Sequence, residues 1–196
     1  MPLPHDFDTP REGMENYEPA NHPLAARQTT LASWDASRLF DHPRAIDTIL
    51  YGGLAAGLLS VLDDVVVYSL QGRNPIEFLQ FIASGAIGKE AFAGGYETAA
   101  LGTVFHFLIA FVTGAVFYEA SRILPTLYRR PVVWGPVFGL AVYIVMNYVV
   151  LPLSAVPRSP FSFALLLNGL IGHAVLVGLP IALIASRSAR ARRMII

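Results

Sequence analysis

The chain has 196 residues, 54% of them hydrophobic and only 14% charged, with 14 basic residues against 14 acidic ones and a mean hydropathy of +0.51. A soluble domain carries about 25% charged residues, so this composition points to a membrane protein. Zero net charge leaves no basic field for nucleic acid, and the lack of cysteine removes disulfides, thiol catalysis and thiolate metal sites.

The opening stretch MPLPHDFDTPREGMENYEPANHP is polar, acidic and proline-rich, and has no apolar core of the kind a cleavable signal peptide needs. Residues 1–44 therefore read as a cytoplasmic tail, partly disordered or held by a partner. Within it, LASWDASRLFDHPR spaces Leu31, Trp34 and Leu39 as on one face of a short surface helix. Residues 45–187 read as a transmembrane domain and 188–196 as a basic tail. Four segments, about 46–70, 98–124, 132–151 and 163–186, are long and apolar enough to cross the hydrocarbon core.

Arginine placement orients them. Arg38 and Arg44 precede the first span, Arg122, Arg129 and Arg130 separate the second from the third, and Arg187, Arg190, Arg192 and Arg193 follow the fourth. The other two connections carry only Arg73, Lys89 and Arg158. The positive-inside rule puts both termini in the cytoplasm.

The connection after the first span contains NPIEFLQFIASGAIGKEAF, with Asn74 as helix cap, Pro75 in the first turn and Glu77 at the reciprocal capping position. It predicts a helix over about 75–92, lying flat on the outer leaflet or dipping in as a re-entrant lid.

Small residues mark the faces where transmembrane helices meet. In the spans these are Gly53, Gly57, Ser60 and Asp64, then Gly102, His106, Ala110, Thr113 and Phe117, then Gly135 and Gly139, and last Gly169, His173, Val177 and Pro180. Four such stripes facing one another predict a four-helix bundle, and Pro180 predicts a kink in the last helix. Asp63 and Asn168 are the polar residues that fall off these stripes.

The alternating topology puts Asp63, Asp64, His106, Asn147, Asn168 and His173 in one slab roughly 10–15 Å thick. On the insertion scale two aspartates cost about 5–7 kcal/mol, and the aliphatic residues of the same span return about 3–7 kcal/mol. Both aspartates cannot face lipid as free anions, so His106 or His173 is the expected partner. Three roles fit the layer: a hydrogen-bonded knot that fixes helix register, a proton or ion pathway, and cofactor ligation. For the last, His106 and His173 would be the axial pair of a b-type haem, or Asp64 with both histidines would hold a metal ion. No zinc-protease helix motif, phosphate-binding glycine loop or nucleophile elbow is present. Glu119 is expected to pair with Arg122, and Tyr68, Tyr96, Trp134 and Tyr148 read as interfacial anchors.

With four spans, a VLPLS exit from the third (Val150 to Ser154) and a GLIGHAV core in the fourth (Gly169 to Val175), the chain from about Gly52 to Ser186 resembles YagU-type bacterial inner-membrane proteins. The resemblance implies a multi-pass inner-membrane protein with a link to acid tolerance, and supplies no catalytic residues. The sequence thus predicts an all-α polytopic membrane protein. Its expected function is that of a non-enzymatic accessory or structural subunit, associated with the bilayer and with other membrane proteins. The alternative is a protein that binds haem or metal, or handles protons or ions, through the Asp/His layer.

Overall fold

Largely apolar runs bounded by proline, glycine and arginine fold as helices throughout the computed structural model, which describes residues 42–157 and 161–194. In chain order these are α1 (Asp47–Leu70), α2 (Ile76–Ile87), α3 (Gly95–Ile123), the single turn α4 (Thr126–Arg129), α5 (Pro131–Leu153) and α6 (Phe163–Arg192). A 3-10 turn, Gly88–Ala93, joins α2 to α3. The helices α1, α3, α5 and α6 are long and apolar enough to cross a membrane. No strand occurs among the described residues. The face expected at Leu31–Leu39, and Arg158, lie outside the described residues.

Local chemistry sets the ends. Asn74 accepts from the Ile76 amide at 3.2 Å and its own amide donates to Glu77 Oε1 at 3.3 Å, the reciprocal cap that starts α2. Arg122 pairs with Glu119 at 3.0 Å across one turn of α3. The helix α6 continues past the expected end at Ser186 to Arg192.

Two wide turns follow from proline. In α5 the backbone opens into a π turn over Met146–Val150, two residues before Pro152; in α6 it does so over His173–Gly178, two residues before Pro180. Proline has no N–H and its ring crowds the carbonyl four residues back, here Tyr148 and Leu176, each inside its π turn. Pro180, where a kink is expected, follows closely on the π turn of α6.

The small-residue stripes are the contact faces. A Cβ on Gly53 would stand 2.8 Å from the Phe111 ring, and one on Gly57 2.9 Å from the Phe107 ring, so α1 lies close along α3. A Cβ on Gly139 would run into the His173 carbonyl of α6, and one on Gly178 would run into Gly135 and Gly139 of α5. Gly102 differs from the expectation: its open side is filled by the Leu79 carbonyl of α2, not by another span. The helix α2 buries Phe78, Gln80, Ala83 and Ser84 as it packs on α3.

The core lies toward the arginine-rich end. Phe117 of α3, Ile181, Ala182 and Ala185 of α6, and Leu127 and Tyr128 of α4 form one buried cluster, with Phe138 of α5 edge-on to Phe117 at 5.0 Å. There Ser188 donates to Asp47 Oδ2 at 2.6 Å and accepts from the Arg44 amide at 2.9 Å, joining the last turns of α6 to the start of α1.

Candidate functional site

The polar residues that the sequence singles out fall into separate groups, two of them on opposite sides of α1. On the side of α1 that meets α3, the His106 ring stands over the glycine stripe. Its Nε2 lies 2.8 Å from the Gly57 carbonyl and 3.4 Å from Ser60 Oγ. A carbonyl only accepts, so Nε2 carries the hydrogen and Nδ1 is the bare nitrogen of the neutral ring. Ser60 donates back to the Ala56 carbonyl at 2.8 Å. The Phe78 ring of α2 covers this group, edge-on to His106 at 6.0 Å and to Tyr68 at 5.6 Å.

On the side that meets α6, Asn168 donates to Asp63 Oδ2 at 3.0 Å, and a Cβ on Gly172 would stand 3.4 Å from the same oxygen. The two polar residues that fall off the stripes thus bond each other across α1 and α6. Asp63 thus faces α6. Ser60 and Asp63 are three residues apart on α1, or about 4.5 Å along the axis, so the two groups lie within one helical turn of each other.

His173 and Asn147 belong to the contact between α5 and α6. His173 Nδ1 donates to the Gly169 carbonyl at 2.9 Å, which leaves Nε2 bare. Its ring meets Tyr143 of α5 edge-on at 5.3 Å. Asn147 donates to the Tyr143 carbonyl at 3.0 Å. Among the described residues no hydrogen bond or ring contact joins His106 to His173, and no three His, Cys, Asp or Glu side chains converge.

These tautomers bear on cofactor ligation. An axial histidine offers Nε2 and gives its Nδ1–H to a carbonyl or carboxylate. His173 has that arrangement; His106 has the reverse, with Nε2 spent on Gly57. The two rings thus present different nitrogens, and among the described residues no group of three His, Cys, Asp or Glu side chains could hold a metal ion.

Asp64 itself is half-buried on the α1 face that carries Ser60 one turn before it and Tyr68 one turn after. No hydrogen bond reaches its carboxyl among the described residues, whereas Asp63 beside it is held by Asn168. At the far end of the same face, Arg73 stacks over the Tyr68 ring at 4.3 Å and pairs with Glu77 at 2.9 Å.

Sequence reasoning missed the Gly57 carbonyl as the histidine's partner, because a backbone acceptor leaves no residue-type signal. It also missed Gln80, buried in α2 and donating to the Gly95 carbonyl at 3.0 Å. A glutamine among apolar residues of an amphipathic helix was the available sign. Comparison of the chain with known proteins returns no matching family model, no matching curated protein and no matching solved structure.

Proposed function

We propose that the chain is a non-enzymatic, multi-pass protein of the bacterial inner membrane that serves as an accessory or structural subunit of a larger membrane assembly. The observation that carries this reading is the one-sided packing of α5. Only 6% of its apolar window is buried within the chain, against 22%, 28% and 33% for the other three long helices. It is held along one seam, Pro131, Gly135, Gly139 and Tyr143, and turns Val133, Val137, Leu140 and Ile144 outward. In this reading a neighbouring membrane protein covers that face.

The polar layer supports the same role. His106, Asp63, Asn168 and His173 are spent on bonds that hold helices or turns in place, which fits register-fixing better than ligand capture. The arginines at the end shared by Arg44, Arg122, Arg130 and Arg187 support a cytoplasmic location for both termini. The short helix α2 then belongs at the outer surface, and the acidic tail before residue 45 is the cytoplasmic interaction arm. The YagU-type resemblance carried by VLPLS and GLIGHAV points to the same inner-membrane setting.

Extraction in mild detergent at native expression tests the proposal. The chain is expected to migrate with a membrane protein partner in fixed ratio; a lone, monodisperse chain would sink it.

A further inference from the structure

The helix α6 is unevenly embedded. Toward the arginine-rich end it buries Ile181, Ala182, Ala185, Ser186, Ser188 and Ala189. Its far half, Phe163–Gly172, buries no residue. Close to the middle of the helix, Gly169 packs on the Tyr143 ring of α5. Among the described residues, one hydrogen bond joins the far half to another helix, that from Asn168 to Asp63 of α1.

Between the two halves lies the π turn His173–Gly178, with Gly172 before it and Pro180 just after. Its parts tolerate bending. The missing N–H of Pro180 takes the usual helical donor from the Leu176 carbonyl, and glycine at either end of the turn adds backbone freedom. The His173 ring gives its Nδ1–H to the Gly169 carbonyl at 2.9 Å, alongside the His173 amide. That carbonyl therefore keeps a donor when the backbone bond lengthens. The π turn of α5 has the same provision, with Asn147 donating to the Tyr143 carbonyl at 3.0 Å.

We propose that the far half of α6 is a hinged arm, which swings about the π turn His173–Gly178 and is latched against α1 by the bond between Asp63 and Asn168. The other half is the fixed side of the hinge, held in the buried cluster and by Ser188 on Asp47. Lipid offers no replacement for the latch bond, so the latched form is the resting one. Single side-chain bonds between membrane helices are weak, so one substitution is enough to release it. A bend of about 20°, the size of a proline or π kink, is sufficient. Phe163 lies ten residues beyond the turn, or about 15 Å, so its displacement is about 5 Å. The arm needs no partner chain, so it is tested apart from the accessory-subunit reading.

The chain has no cysteine, so two introduced cysteines carry the only spin labels. Val66→Cys on α1 and Phe163→Cys on the arm, both exposed positions, span the latch. Leu54→Cys and Arg187→Cys, also exposed, span the fixed halves of the same two helices. Pulsed double electron resonance of the full chain in lipid nanodiscs, with no other protein present, reads both distances. Asn168→Leu and Asp63→Leu should each lengthen the Val66–Phe163 distance by about 5 Å and leave the Leu54–Arg187 distance unchanged. Pro180→Ala restores the missing N–H and should narrow the Val66–Phe163 distribution. The latch is cut from opposite sides, so either latch variant decides if the other does not fold; if neither folds, an unchanged width in Pro180→Ala overturns the proposal. A Val66–Phe163 distance indifferent to both latch variants also overturns it. So does equal broadening of both pairs, which means a loosened bundle and no hinge.

Discussion

Gly139→Val places a branched side chain where α5 has no room for a Cβ. That atom would run into the His173 carbonyl and stand 2.8 Å from Ala174 Cα, all of it backbone. Backbone cannot rotate aside as a side-chain tip can, so α5 and α6 must separate by roughly 1 Å to restore ordinary contact. Overpacking of this kind costs about 1–3 kcal/mol, and a rigid backbone neighbour puts the substitution near the upper figure. The effect falls on α5 because its buried residues all lie along this seam. Gly85→Ala is the control, since the nearest atoms are side-chain carbons at 3.7 and 3.8 Å. It should change stability by no more than about 0.5 kcal/mol, or raise it slightly through helix propensity. Reversible unfolding in mixed micelles of mild and denaturing detergent measures both. If Gly139→Val unfolds at the parent's midpoint, the close approach of α5 and α6 is not what holds α5.

Other parts of the layer give separate tests. Asn168→Leu and Asp63→Leu, measured singly and together by the same unfolding assay, should show a coupling of about 0.6–1.7 kcal/mol; additive effects would mean that the bond is not made. His106→Phe keeps the ring against Phe78 and Phe107 but removes the inter-helix bond to the Gly57 carbonyl, and is expected to cost about 1–2 kcal/mol. His173→Phe removes a bond within one helix and should cost less; the opposite order would refute the assignment of partners. Arg73→Ala breaks a partly exposed ion pair, so its cost should stay below about 1 kcal/mol. A fluorescent protein fused after Ile196 should mature in the cytoplasm, while an alkaline phosphatase fusion there should be inactive; the reverse pattern would overturn the orientation.

Much of this architecture could be read in advance because membrane helices advertise their contacts. Long apolar runs mark the spans, glycines mark the close approaches, and Asn74 with Glu77 marks the start of α2. The bond between Asp63 and Asn168 was harder to see. Small-residue stripes predict where backbones touch, while these two longer side chains reach across from beside the stripes. The tautomers of His106 and His173 depend on which carbonyl each ring meets, and sequence carries no label for that. Ser188 read as part of a solvated basic tail, yet it is buried against Asp47 because α6 runs on past Ser186. Asp64 was expected to aim into the bundle beside the histidines. It keeps the stripe face, half-buried, while the hydrogen bond across α1 and α6 goes to Asp63 instead.

The accessory-subunit account rests on the outward face of α5, and photo-crosslinking in native membranes tests it most directly. A crosslinking side chain at Val137 or Ile144 of α5, which are 47% and 55% exposed, is compared with one at Val112 of α3, also 55% exposed. The account predicts a discrete protein adduct of constant mass from the α5 positions and only lipid adducts from Val112. Lipid adducts alone at all three positions would contradict it.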